Sequence, residues 1–407
     1  MPEEAVHAGQ PARFRDVFAD TEFRTLWLAY AQSRIGDQLA RVALSVLVYD
    51  RTHSAAWTAL TYAMTILPNL AGGALLSGFA DRFDRRTVMI VADLVRAVLV
   101  GLMIFPGQPI ASLVVLLCLV QLPFTPFASA RNAIMPTILT GDRFMVGLTI
   151  MRTTDQLSLV GGIAVAATLV TLLGTHTTLA IDAATFAVSA VVVLLGVRRH
   201  RPPEAGPTPM GWWPRLRAGF VLVMHDRQLR ALVALACING FYVVPESLAV
   251  PYAAQIGGGT AAIGWLLAGS PAGSVVGMLW LKRLRPDLRL RLIAPLAVAT
   301  CAVLIPSAWA PMLWISVALW TGSGLFAAHD MLVQGAFVQR VPDASRGQAI
   351  GLAGAAMQAA QGIGIVVAGL LAQAWSPAPV IGVVALAGVV CAAGAGLSWT
   401  RSVRPTP

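Results

Sequence analysis

The chain has 407 residues, 57% of them hydrophobic and 12% charged, with a formal charge of +10. A soluble protein of this size carries about twice that charged fraction, and disordered chains are poor in apolar residues, so both classes are excluded. The composition is that of an integral membrane protein.

Residues 1–24 are polar and carry both signs of charge, so they read as a cytoplasmic segment with no signal peptide. Apolar stretches of the roughly 20 residues needed to cross a bilayer follow. They lie near 25–49, 55–79, 88–105, 110–135, 146–173, 177–197, 231–253, 259–281, 292–309, 311–337, 348–374 and 379–398. This predicts an all-α membrane protein of twelve transmembrane helices. With both termini in the cytoplasm, 23 basic residues fall on the inner side, five lie within spans, and Arg51 alone faces outward. That asymmetry predicts a multi-pass protein of the cell inner (plasma) membrane. Trp27, Trp57, Trp280, Trp309 and Trp375 sit near span ends and read as interface anchors.

Residues 198–230 form the long central loop. It opens with Arg198-Arg199-His200-Arg201 and Pro202-Pro203, an extended linker. Beyond Pro209, Trp213, Leu216, Phe220 and Met224 recur at helical spacing, predicting an amphipathic helix on the inner membrane surface. The expected divisions are a segment 1–24, a six-helix bundle 25–197, the linker 198–230, a second six-helix bundle 231–398 and a tail 399–407. Gly73 and Ser77 in span two are matched by Gly273 and Gly277 in span eight, each pair followed by a basic loop. Two parallel repeats around a midplane site are the arrangement of many secondary transporters.

The positive charge does not point to nucleic acid, because the basic clusters lie between apolar runs. Lys282, the one lysine, stands between Leu281 and Arg283, so the chain has no P-loop lysine. Cys118, Cys237, Cys301 and Cys391 lie in apolar stretches without metal-ligand spacing and read as small core residues. With no nucleophile, metal or phosphate constellation, an enzyme and a bound cofactor are not expected.

A charge at the bilayer centre costs about 2.5–3.5 kcal/mol on insertion scales, so each one needs a reason. Tyr30, Arg34, Asp37, Gln38 and Arg41 share one face of span one, which must line the bundle interior or a water-filled cavity. Asp37, between two arginines, reads as part of an ion cluster or as a proton carrier. Asp93 with Arg96, and Arg152 with Asp155, are three apart on one helix and are expected to neutralise each other. Glu246 and Asp330 have no intramembrane cation in their own half, which makes them candidates for reversible protonation. Glu246 stands between Pro245 and Pro251, where a broken helix is expected; it either exchanges protons or pairs across the halves with Arg34 or Arg41. Asp330 lies beside His329, and Asp182 is expected to bond to neighbouring backbone or water.

The loop after span two reads Ser77-Gly78-Phe79-Ala80-Asp81-Arg82-Phe83-Asp84-Arg85-Arg86. It resembles the signature loop of the major facilitator superfamily, with Ser77, Phe79 and Asp84 departing from the pattern. Phe127-Ala128-Ser129-Ala130-Arg131 leading to Pro136, and Val341-Pro342-Asp343 leading to Arg346-Gly347, are similar to further motifs of that family. The aspartate variant and the Val88 to Arg96 stretch resemble the branch of macrolide-efflux proteins and the enterobactin exporter. The resemblance implies an inner gate built from Asp81, Arg82, Arg85 and Arg86, with Arg131 a partner for Asp81; for Arg85 and Arg86, a purely topological role stands beside it. Span five carries Gly161-Gly162 but then Val165-Ala166, where many antiporters of the family have a second glycine pair.

The expected function is secondary active transport by alternating access, driven by the proton gradient. By resemblance, the cargo is a drug-like compound or secondary metabolite moved outward. An uptake symporter for a small solute and a non-transporting membrane sensor or scaffold are the alternatives. The expected partners are a small-molecule substrate and the lipid bilayer, around a monomer that binds no nucleic acid.

Overall fold

The computed structural model describes residues 14–69, 72, 83–199, 212–309, 312–342 and 345–403. Asp81 and Arg82 of the expected gate, most of the signature loop, and Asp343 lie outside the described residues.

All regular structure among the described residues is helical. The first half contains α1 (Phe14–Phe18), α2 (Thr21–Thr52), α3 (Ala55–Ala63), α4 (Arg85–Met103), α5 (Ile110–Gln121), α6 (Phe124–Ile138) and α7 (Asp142–Gly196). The linker helix is α8 (Trp212–His225). After it come α9 (Arg227–Cys237), α10 (Asn239–Tyr242), α11 (Val244–Ser247), α12 (Ala249–Gln255), α13 (Thr260–Lys282) and α14 (Pro286–Ala302). A 3-10 turn (Ile305–Ala308), α15 (Leu313–Ala327), α16 (His329–Arg340), α17 (Arg346–Ala374) and α18 (Pro377–Val403) complete the chain.

Among the described residues, seven stretches are long and apolar enough to cross a membrane, where twelve are expected over the whole chain: 110–138, 142–196, 227–247, 260–282, 288–308, 346–374 and 377–402. The difference has physical causes. Every 18-residue window of α2 or α4 holds at least three charged residues. The tenth expected span is broken at Ala328 into two pieces of 15 and 12 residues. The fifth and sixth run together as the 55-residue α7, interrupted at Gly174, whose φ of 80° suits glycine. Two arms meet there as a hairpin: Gly162 packs against Gln38 and Ile35, while Asp182 and Thr185 lie against Gly36. Residues 162 and 182 would be about 30 Å apart on a straight helix, so both reach the same stretch of α2 only if the chain folds back.

Asp20 caps the start of α2, accepting from Phe23 N at 2.9 Å. At its end His53, at φ 46°, turns the chain, and Ser54 caps α3 by accepting from Trp57 N. Glycines set the closest helix approaches. A Cβ on Gly273, Gly277 or Gly324 would collide with the facing backbone, so the small-residue stripe of α13 packs on α15. At the end remote from the linker, Ser54 Oγ accepts from Gln373 Nε2 at 3.0 Å and Thr171 Oγ1 donates to Thr260 Oγ1 at 2.6 Å, joining the first half to the second. Gly369 packs there against Ala59 and Ala56. In α8, Gly219 packs against the Gln348 carbonyl and Val223 is buried, whereas Phe220 and Met224 of the predicted stripe are exposed. Trp27 is not an outward anchor: its indole N–H donates to Thr154 Oγ1 at 2.8 Å.

Candidate functional site

Two polar groups occupy the interior, one on each side of the linker in sequence. In the first, Arg34 of α2 donates from Nη1 to Asp37 Oδ2 at 3.0 Å and from Nε to Asp155 Oδ1 of α7 at 3.1 Å. The other Asp37 oxygen is ion-paired to Arg96 of α4. Arg96 is 1% exposed and stacks over the Phe186 ring at 4.0 Å. Tyr30 donates its hydroxyl to Asp155, and Arg131 lies over the Tyr30 ring at 3.8 Å. Three helices of the first half are thereby tied by two carboxylates and two guanidinium groups, each bond charge-assisted.

This corrects the expected local pairing. Asp93 and Arg96 do not neutralise each other: Asp93 Oδ2 accepts from Ser189 Oγ at 2.5 Å, and Arg96 reaches across to Asp37. Asp155 turns to Arg34 and Tyr30, and Arg152 is exposed. Spacing on one helix makes such pairs possible, but side chains of neighbouring helices compete for the same oxygens. Asp182 is fully buried, with one oxygen near Thr185 Oγ1 at 3.4 Å. Gln38, also expected in the cavity, is 1% exposed and wedged against Gly162. Arg41 stacks over the Tyr62 ring at 5.2 Å, and Asp37 pairs with Arg34 and Arg96 instead.

The second group begins at Glu246. Its Oε2 accepts from Tyr62 Oη of α3 at 2.7 Å, a hydrogen bond that joins the two halves. Arg41 therefore reaches the Glu246 region through Tyr62; among the described residues no ion pair within 4 Å joins Arg41 or Arg34 to Glu246. Around Glu246 the chain runs as four short helices, α9 to α12, with breaks at Ile238, Val243 and Leu248. Pro245 and Pro251 lack the N–H that would continue the ladder, as the sequence predicts. Asp330 Oδ2 accepts from Tyr242 Oη and from Asn239 Nδ2 at 3.1 Å. Asn239 Oδ1 accepts in turn from Gln361 Nε2 of α17. The buried His329 places Nε2 3.5 Å from Asp330 Oδ1.

The sequence reading missed Tyr62, Asn239, Tyr242 and Gln361. The available signal was scarcity: the chain has five tyrosines, and Tyr30, Tyr62 and Tyr242 each donate to a different carboxylate. A tyrosine inside an apolar span keeps its hydroxyl paired, and a carboxylate is a strong acceptor for it.

At the N-terminal end of α4, Asp84 caps the helix, accepting from Thr87 N at 3.1 Å. Arg85 donates to the Ala133 carbonyl at 2.8 Å and Arg86 to the Leu194 carbonyl, so their described partners lie in the first half. Arg131 donates to Asn132 Oδ1 besides stacking on Tyr30.

A carboxyl group bonded between the two sides of the linker at a broken helix is an arrangement that carriers use for their sites. The chain is 23% identical over 327 residues to the uncharacterized MFS-type transporter YkuC of Bacillus subtilis, covering 74% of this chain and 73% of that protein. It is 23% identical over 238 residues to macrolide efflux protein A of Streptococcus pyogenes, covering 56% of this chain and 58% of that one. The solved nucleoside transporter NupG superposes with a TM-score of 0.72 at 14% identity, over 95% of this chain and all of that structure. A bacterial homologue of the human lysosomal transporter Spinster, inward-facing and unoccupied, gives 0.67 at 13% identity over 94% of both chains. Residues 26–328 match the Major Facilitator Superfamily, and the chain is an integral membrane transporter belonging to that family.

Proposed function

We propose that the protein is a proton-coupled exporter of a drug-like compound or secondary metabolite, working by alternating access between residues 25–197 and 231–398. The observation that carries this reading is the Tyr62–Glu246 hydrogen bond between the halves, with Arg41 stacked on the same tyrosine. A carboxyl that exchanges its proton changes this bond, so protonation bears on how the halves meet. Asp330, held by Tyr242 and Asn239, is the second proton or substrate group. Tyr30, Arg34, Asp37, Gln38 and Arg41 supply the first-half wall and its second layer, and the arginines balance the two acids. Outward direction rests on the similarity to macrolide efflux protein A. Asp81, Arg82, Arg85, Arg86 and Arg131 act as the inner gate, with Arg85 and Arg86 bracing α4 against its neighbours.

Purified protein in proteoliposomes, with an imposed pH gradient and a radiolabelled macrolide as probe, tests the reading. Export predicts flux toward the acidic compartment, and Glu246→Gln abolishes the gradient dependence while leaving equilibrium exchange of the macrolide intact. Accumulation in the alkaline compartment identifies an uptake symporter instead. No flux by wild type, in vesicles that retain folded protein, rejects macrolide transport; unchanged gradient dependence in Glu246→Gln rejects Glu246 as the coupling group.

A further inference from the structure

Asp93 and Asp182 take no part in the step just proposed, yet both are completely buried in the first half. Asp93 stands one turn before Arg96 on α4. Its Oδ2 is capped by Ser189 Oγ at 2.5 Å, and its Oδ1 has no hydrogen-bond partner. Arg96 commits Nη2 to Asp37, rests on Phe186 and leaves its Nε without a partner. The charged groups around them come from α2, α6 and α7, while α5, which also packs against α4, carries none. α2 brings Arg34 and Asp37; the first arm of α7 brings Asp155; the second arm brings Asp182, whose Oδ2 is unpartnered. α6 brings Arg131, which sits against Tyr30 and Asn132. Arg34 and Arg96 are the two ion-paired arginines here, and their acids are Asp37 and Asp155. A charged Asp93 would be a buried anion with one hydroxyl donor and one empty oxygen, which a site closed to water does not sustain.

We propose that Asp93 is a proton-binding site that exchanges its proton with Asp37 as Arg96 moves the opposite way. In the described conformation Asp93 is a carboxylic acid, Asp37 a carboxylate and Arg96 the cation bonded to Asp37. In the exchange the O–H bond at Asp93 breaks, an O–H bond forms at Asp37, and Arg96 turns back to Asp93 on its own helix. Each state holds one acid, one carboxylate and one guanidinium, so the apolar interior gains no net charge. The consequence falls on Arg34: a neutral Asp37 leaves it with Asp155 as its one ion-pair partner and frees part of its fork for an anionic group. The site is thereby a proton position in the first half, separate from Glu246.

Infrared difference spectroscopy of the purified, cargo-free protein reads the carbonyl stretch of protonated carboxyls directly. Asp93→Asn removes one carboxylic-acid band that wild type shows at neutral pH, and Asp93→Glu retains it at a shifted frequency. Ser189→Ala, which leaves every carboxyl in place, moves the same band. Asp37→Asn, which mimics the exchanged state, also removes the Asp93 band, because Arg96 is then released to ionise Asp93. Identical bands in wild type and Asp93→Asn, or an unmoved band in Ser189→Ala, overturn the site; a band that persists in Asp37→Asn overturns the exchange. No cargo enters the experiment, so its failure is distinct from a failure of the transport reading.

Discussion

The two polar groups solve the problem of a charge in the bilayer in opposite ways. In the first half, arginine and carboxylate meet directly: Arg34 spans Asp37 and Asp155, and Arg96 closes the other side of Asp37. In the second half the acids are held by uncharged donors, Glu246 by Tyr62, and Asp330 by Tyr242 and Asn239 with His329 nearby. Charge-to-charge bonding makes a knot whose members cannot be removed singly without stranding the others. Neutral donors hold an acid in either protonation state, because a tyrosine hydroxyl can accept as well as donate. The first half pairs its acids mainly with cations, and the second pairs them with neutral donors.

This contrast can be broken at several points. Arg96→Ala carries the largest expected effect, a loss of about 3–5 kcal/mol of stability, because it leaves Asp37 half-paired inside the bundle; thermal unfolding in detergent measures it. Tyr242→Phe is expected to cost less, about 1.5–3 kcal/mol, since Asp330 keeps Asn239 as donor. Equal losses from these two variants would erase the distinction between knot and exchangeable site. Gln373→Ala removes the remote bond to Ser54 and costs about 0.5–1.5 kcal/mol. Its clearer readout is kinetic access: with Ala55→Cys as a reporter beside the intact Ser54, Gln373→Ala should make that buried thiol react faster with an impermeant thiol reagent. An unchanged labelling rate would show that this bond does not hold the remote end shut. Smallest in stability and largest in function, Glu246→Gln should melt close to wild type while losing gradient-driven flux.

Much of the site was legible before any coordinates. The face of Tyr30, Arg34, Asp37 and Arg41 follows from helical spacing, and the broken helix at Glu246 follows from Pro245 and Pro251. Partner choice was not legible. Asp93 and Arg96 are three residues apart and look like a pair, yet Arg96 crosses to Asp37 and Asp93 turns to Ser189. Tyr62 gave no signal beyond being one of five tyrosines, a polar aromatic in an apolar run. Gly273 and Gly277 of α13 are visible in the sequence as small residues, but only the packing shows that α15 is the helix they meet.

The amino-acid sequence by itself determined the solvent and the positions of the charges within and between the apolar stretches. Those are properties of composition and of short windows, which a chain carries before it folds. The tertiary structure decided which acid meets which donor, that α7 folds back at Gly174, and that a tyrosine from the first half holds the carboxylate of the second. Helical periodicity relates residues three or four apart. The rotation and crossing of whole helices decide the rest, and those are set by packing all of them at once.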